Sequence, residues 1–148
     1  MKAVNHILVP TDGSEDACKA AAFAGGLARA LKARVSLLLV LPEDSILHNA
    51  WGVGAESDVE EIRNMLEKQA RENELPKTIE SLGDLDVKPE LITSWGHPAD
   101  EISRFAREHK VDLIVVGSHG RTGIKRAFLG SVSQAVANQA PCAVTIVK

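Results

Sequence analysis

The stretch VSLLLVL, Val35–Leu41, is an almost uninterrupted apolar run that Pro42 stops. It is too short for a helix and reads as a strand buried on both faces. Strands of that kind belong to parallel sheets, whose crossover helices cover both sides. Upstream, Ala17, Ala21, Ala24, Ala28 and Leu31 recur at steps of four and three between Ser14 and Ala33, which is helical periodicity. Ser14 can cap that helix, and Glu15 and Asp16 favour the positive end of its dipole. Gly25 and Gly26 each lower helix propensity by about 1 kcal/mol relative to Ala, so close packing of this helix against the sheet is expected there. Before the helix, His6–Val9 reads as a first strand ending in the turn signal Pro10-Thr11-Asp12-Gly13.

Downstream, residues 43–55 form the longest loop, and Glu56–Glu74 reads as an amphipathic helix through Val59, Ile62 and Leu66. Val87–Trp95 reads as a strand that Pro89 confines to a sheet edge or shortens. Pro98 suits a first helical position, followed by the stripe Ile102, Phe105 and Ala106. Val111–Val116 is a further strand ending at Gly117, Ser131–Gln139 a further helix stopped by Pro141, and Cys142–Val147 the last strand. The order βαβαβαβαβ predicts one α/β domain over residues 1–148: an open parallel sheet with helices on both faces.

Bulk composition fits this and narrows the function. At 148 residues the chain is long enough for a core that needs no disulfide or metal. Aromatics make up 3% and Tyr is absent, so the core is aliphatic. A net charge of -3 argues against extended nucleic-acid or membrane-surface binding, which needs a clustered positive field. It leaves room for one nucleotide held by backbone N–H groups. Cys18 and Cys142 form no CxxC or zinc pattern and read as two small buried hydrophobes. The five histidines show no metal-ligand spacing. The opening MKAVNHILVPTDG lacks the apolar stretch of a signal peptide, and no run is long enough for a membrane helix, so a cytoplasmic location is expected.

The chemistry is carried by GSHGRTGIKRAFLGS, Gly117–Ser131, which joins the fourth strand to the last helix. Gly117 can let the chain leave the strand sharply and a ligand lie against the backbone. Gly120 can take a positive φ in a tight turn. Gly130 can leave the helix start open, so that a phosphate reaches the N–H groups of Ser131, Val132 and Ser133. The Ser131 hydroxyl can cap the helix, bond a phosphate oxygen, or both. Arg121, Lys125 and Arg126 bring positive charge that either stays solvated or touches a phosphate. His119 is either a phosphate contact or a turn residue. The alternative for the whole loop is that its glycines only punctuate it. There is no GxxxxGK[ST] P-loop and no GxGxxG after the first strand. Both polar turns, 10–13 and 117–131, lie at carboxyl ends of strands, where open α/β sheets bind ligands.

The spacing Gly117, two residues, Gly120, nine residues, Gly130-Ser131 resembles the ATP-binding signature of the universal stress proteins. ILVPTDGSEDA at residues 7–17, WGHPADEI at 95–102, LIVVGSHG at 113–120 and PCAV at 141–144 resemble further blocks of that family, in the same order. The resemblance implies a Rossmann-like five-stranded sheet of order 3-2-1-4-5. It implies that Pro10, Thr11 and Asp12 line the adenosine, with Asp12 accepting a ribose hydroxyl, although Asp12 can also be only a turn residue. It places Val40 against the adenine through its backbone, and Gly117, Gly120, Gly130, Ser131 and Val132 at the ribose and phosphates. It further implies ATP as ligand, with Mg²⁺ held by its phosphates, and a homodimer through the last strand. Trp51 and Trp95 read as packing residues, or as covers for adenine or a partner surface. The functional expectation is an ATP-binding stress-response module that regulates an unknown partner. The alternatives are a slow ATPase or self-phosphorylating enzyme, for which no general base or kinase motif is evident, and a nucleotide-free dimeric scaffold.

Overall fold

A computed structural model describes residues 2–46, 59–120 and 128–148. Nine regular elements follow in the order β1 (His6–Thr11), α1 (Glu15–Leu31), β2 (Arg34–Leu41), α2 (Val59–Leu82), β3 (Glu90–Trp95), α3 (Pro98–Glu108), β4 (Leu113–Gly117), α4 (Ser131–Gln139) and β5 (Ala143–Val147) among the described residues. The strands form one sheet of order β3-β2-β1-β4-β5, and every pairing is parallel. Every residue of β1 is buried, as its central place demands. That the open sheet runs in the expected order puts the turns after β1 and β4 side by side.

Successive side chains of a strand point to opposite faces, and this divides the core in two. Ile7 and Val9 of β1 pack with Val35, Leu37 and Val115 against the alanine stripe of α1 and Leu82 of α2. Leu8, between them, packs with Leu38 and Ile114 against Ile102, Phe105 and Ala106 of α3 and Val136 of α4. Helices thus cover both faces. The core is aliphatic, as the composition requires, with Phe105 the aromatic member of the two clusters.

Helix α1 starts where expected: the Ser14 side chain accepts the Ala17 N–H at 3.2 Å, and Lys32 closes the helix with φ 55°. Three expectations need correction. An ideal Cβ on Gly25 would lie 2.0 Å from the Leu82 carbonyl oxygen, so the close approach is to the end of α2 and not to the sheet, while Gly26 meets nothing within 4 Å. Helix α2 runs through Pro76 to Leu82 instead of stopping at Glu74. Pro76 is exposed, as is Glu72, whose carbonyl loses its helical donor to the proline, and the buried Leu75, Thr78 and Leu82 hold the continuation in place. Cys18 and Cys142 are half-buried free thiols, not fully buried ones. Strand β3 begins after Pro89 and occupies an edge, as that proline predicts. Trp51, Gly123, Lys125, Arg126 and the candidate site residue Arg121 lie outside the described residues.

Candidate functional site

A cleft of about 470 Å³ opens at the carboxyl ends of β1 and β4. Its base is apolar: Leu38 and Val40 from β2, Val116 from β4, and Pro98 and Ile102 from α3. One wall is the turn from Pro10 to Asp12 together with Ser14 and Ala17 at the start of α1. The other is Gly117, His119 and Gly120 with the returning segment from Phe128 to Ser133. The start of α4 therefore faces the turn after β1 across an apolar floor.

The glycines have tighter reasons than open space. A Cβ on Gly117 would lie 2.7 Å from the Asp16 backbone, so Gly117 lets the first turn of α1 press against the end of β4. Gly120 does not have the positive φ expected from a tight turn; such values among described glycines occur at Gly13, Gly83 and Gly96. A Cβ on Gly120 would instead meet the Asp12 carboxylate at 2.9 Å. Gly130, not Ser131, is the N-cap of α4, with φ -61° and ψ 155°. Its missing Cβ would lie 2.9 Å from the Ser118 carbonyl oxygen, so a side chain there would push the loop apart before it reached the cleft. The helix opens with no side-chain cap. Its leading N–H groups, which have no partner within the helix, belong to Ser131 and Val132 on the cleft wall.

The polar groups around the cleft are organised by the protein itself. Asp12 Oδ1 accepts the Ser14 N–H at 3.0 Å. The Thr11 hydroxyl is turned to α2, accepting the Gly13 N–H at 3.1 Å and pairing with Thr78 Oγ1 at 2.7 Å. Any contact it makes in the cleft is therefore through its backbone. Asp16 Oδ2 accepts the Ser118 hydroxyl at 3.0 Å and lies 3.2 Å from His119 Nδ1. Burial raises the Asp16 carboxyl, but the Ser118 and His119 hydrogen bonds and the nearby Lys19 outweigh it and hold its pKa below the ordinary carboxylate value. His119 Nε2 donates to the Phe128 carbonyl at 2.8 Å. The Ser118 carbonyl accepts the Gly130 N–H at 2.8 Å and the Ser133 hydroxyl at 3.1 Å.

The structure thus brings Pro10, Thr11, Asp12, Val40, Gly117, Gly120, Gly130, Ser131 and Val132 to one cleft. Sequence reasoning missed the floor residues Leu38, Pro98 and Ile102 and the hydroxyls of Ser118 and Ser133. Leu38 was legible in principle, being two residues before Val40 on the same face of a strand, and Ile102 lies four after Pro98 on one helix face. Trp95 is elsewhere: its Nε1–H donates to Glu67 at 2.6 Å, and the Arg63 guanidinium lies 5.4 Å from its ring. Among the described residues no cluster of His, Cys, Asp or Glu could hold a metal ion, and no helix is long and apolar enough to cross a membrane.

Comparison with known proteins agrees with this architecture. Universal stress protein MJ0531 of Methanocaldococcus jannaschii is 36% identical over 142 residues, 96% of this chain and 81% of that protein. The solved structure of MJ0577, from the same organism, superposes with a TM-score of 0.83 at 31% identity, covering 99% of this chain and 97% of the other. A universal stress protein solved in complex with cAMP superposes with a TM-score of 0.68 at 25% identity, covering 99% and 98%. The profile of the Universal stress protein family matches residues 3–148. With the sheet order, the cleft and the whole-length match in agreement, this chain belongs to the universal stress protein family.

Proposed function

We propose that this protein binds ATP in the cleft between the turns after β1 and β4 and acts as a nucleotide-dependent regulatory module of the stress response. The observation that carries this reading is the pairing of an apolar floor with an uncapped helix start. Leu38, Val40 and Ile102 offer a surface for a flat heteroaromatic ring, and the N–H groups opening α4 offer donors and a positive dipole end to phosphate. In this reading Asp12 accepts a ribose hydroxyl, Val40 meets the adenine through its backbone, and Gly117, Gly120, Gly130, Ser131 and Val132 present backbone to ribose and phosphates. Arg121 adds charge at the phosphates. Mg²⁺ enters with ATP, held by phosphates and water, as that ion usually keeps several waters and few protein ligands. The relative solved with cAMP supports an adenine nucleotide as the class of ligand.

The test is twofold. Native mass spectrometry of freshly purified protein should show retained adenine nucleotide, and titration calorimetry with ATP, ADP and AMP should give saturable binding. Protein that purifies empty and gives no heat with any of the three would end this reading.

A further inference from the structure

We propose that His119 is a positioning residue that sets the cleft's preference for phosphate-bearing ligands over the bare nucleoside. This deepens the ATP reading and rests on it. His119 bridges three separate pieces of chain. Its Nδ1 is held at 3.0 Å from Ser118 Oγ and 3.2 Å from Asp16 Oδ2, in the first turn of α1. A carbonyl oxygen can only accept, so the 2.8 Å contact to Phe128 puts a hydrogen on Nε2 and points it at the returning arm of the loop. One residue away, the Gly130 N–H and the Ser133 hydroxyl converge on the Ser118 carbonyl. The ends of the glycine loop are thus clasped at two levels, and both are tied to α1 through Asp16, Ser118 by its hydroxyl and His119 by Nδ1. Ser131 and Val132, whose N–H groups open α4, follow directly on the clasped segment. Among the described residues lining the cleft, His119 is the only basic side chain, and both its ring nitrogens are occupied by protein groups. It therefore serves the phosphate end by fixing where the amides stand. Most of the apolar floor that would take the base lies on other elements, Leu38 and Val40 on β2 and Pro98 and Ile102 on α3.

The consequence is selective. Loosening the clasp should harm the phosphate end more than the base end. Affinities for ATP and adenosine are measured by calorimetry, or by competition where binding is weak, in wild type, His119→Ala and His119→Gln. The ATP-over-adenosine preference should fall about tenfold in His119→Ala, the scale of one net hydrogen bond. His119→Gln keeps an N–H within reach of the Phe128 carbonyl and should recover most of that preference. Losses of equal factor for both ligands would mean a merely structural role and overturn the proposal, as would a preference unchanged in His119→Ala. If His119→Ala fails to fold, the comparison of His119→Gln with His119→Asn decides. The shorter Asn amide falls short of the Phe128 carbonyl and should lower the preference while His119→Gln spares it; the reverse order would overturn the proposal. Wild-type protein that binds neither ATP nor adenosine would overturn the nucleotide reading itself. That outcome differs from one in which wild type binds both and the variants shift them together.

Discussion

Ser131 occupies the first helical position of α4 and is exposed on the cleft wall, while the cap role belongs to Gly130. Its hydroxyl is therefore not needed to cap the helix. Ser131→Ala should leave the fold intact and weaken ATP binding by about 1–2 kcal/mol, the scale of a hydrogen bond to a charged group. Calorimetric titration of the variant against wild type measures this directly. At the opposite end of the sheet, buried His6 sits in a directed chain of hydrogen bonds. Arg34 Nη2 donates to Nδ1 at 3.0 Å, Nε2 meets Ser36 Oγ at 2.8 Å, and Ser36 Oγ donates to Glu90 Oε2 at 3.0 Å. Arginine can only donate, so Nδ1 accepts and the ring is neutral. Burial and the adjacent Arg34 charge lower the His6 pKa from its ordinary 6.5, against the pull of Glu90 and Asp112. A histidine depressed on folding must bind its proton at the expense of the fold. Stability should be level above pH 6.5 and fall as the pH drops below it. Urea midpoints stepped through that range should show the fall in wild type and a flatter profile in His6→Gln.

At the scale of elements, the contact between α1 and α2 rests on one missing methyl. Gly25→Ala would drive a Cβ to 2.0 Å from the Leu82 carbonyl oxygen, and backbone cannot swing away as a side chain can. The cost should be about 1–3 kcal/mol, the range of core overpacking. Gly26→Ala meets nothing within 4 Å and should stabilise by about 0.5–1 kcal/mol through helix propensity alone. Chemical denaturation of the two variants separates adjacent, chemically identical substitutions by sign. The same reasoning changes what a substitution at Gly130 reports. Its Cβ direction points at the Ser118 carbonyl, so Gly130→Val perturbs the loop itself along with any ligand.

For the whole molecule, the two edges of the sheet differ. Strand β3 is flanked by charged side chains that hold its residues: Arg71 donates to Thr93 at 2.9 Å, Glu67 takes the Trp95 N–H, and Glu101 takes the Ser94 hydroxyl. Strand β5 carries Ala143, Val144, Thr145, Ile146 and Val147, with no such partners described. A charged edge resists pairing and a plain one invites it, which supports the homodimer through β5 that the family resemblance implies. The Val147 carbonyl accepts from the Ser118 N–H just past the end of β4, so by strand alternation Val144 and Ile146 direct their N–H groups outward. Light scattering should give twice the 15.9 kDa chain mass. The amides of Val144 and Ile146 should be protected from hydrogen exchange in the dimer. A monomer with both amides exchanging freely would refute this arrangement.

What sequence alone determined follows from local physics: the alternating apolar runs set strands and helices, Pro89 marked an edge, Ser14 a cap, and the glycine spacing marked the loop. Period and backbone freedom act within a few residues and so are written along the chain. Tertiary structure decided what depends on distant partners. It carried α2 past Pro76 because Thr78 and Leu82 are buried against elements far away in sequence. It gave Gly25, Gly117 and Gly130 their reasons, each the backbone of a segment 12 to 101 residues away. It assembled the cleft floor from β2, β4 and α3, and joined Asp16 to His119 across 103 residues, contacts that no local pattern encodes because they exist only once the sheet has closed its order.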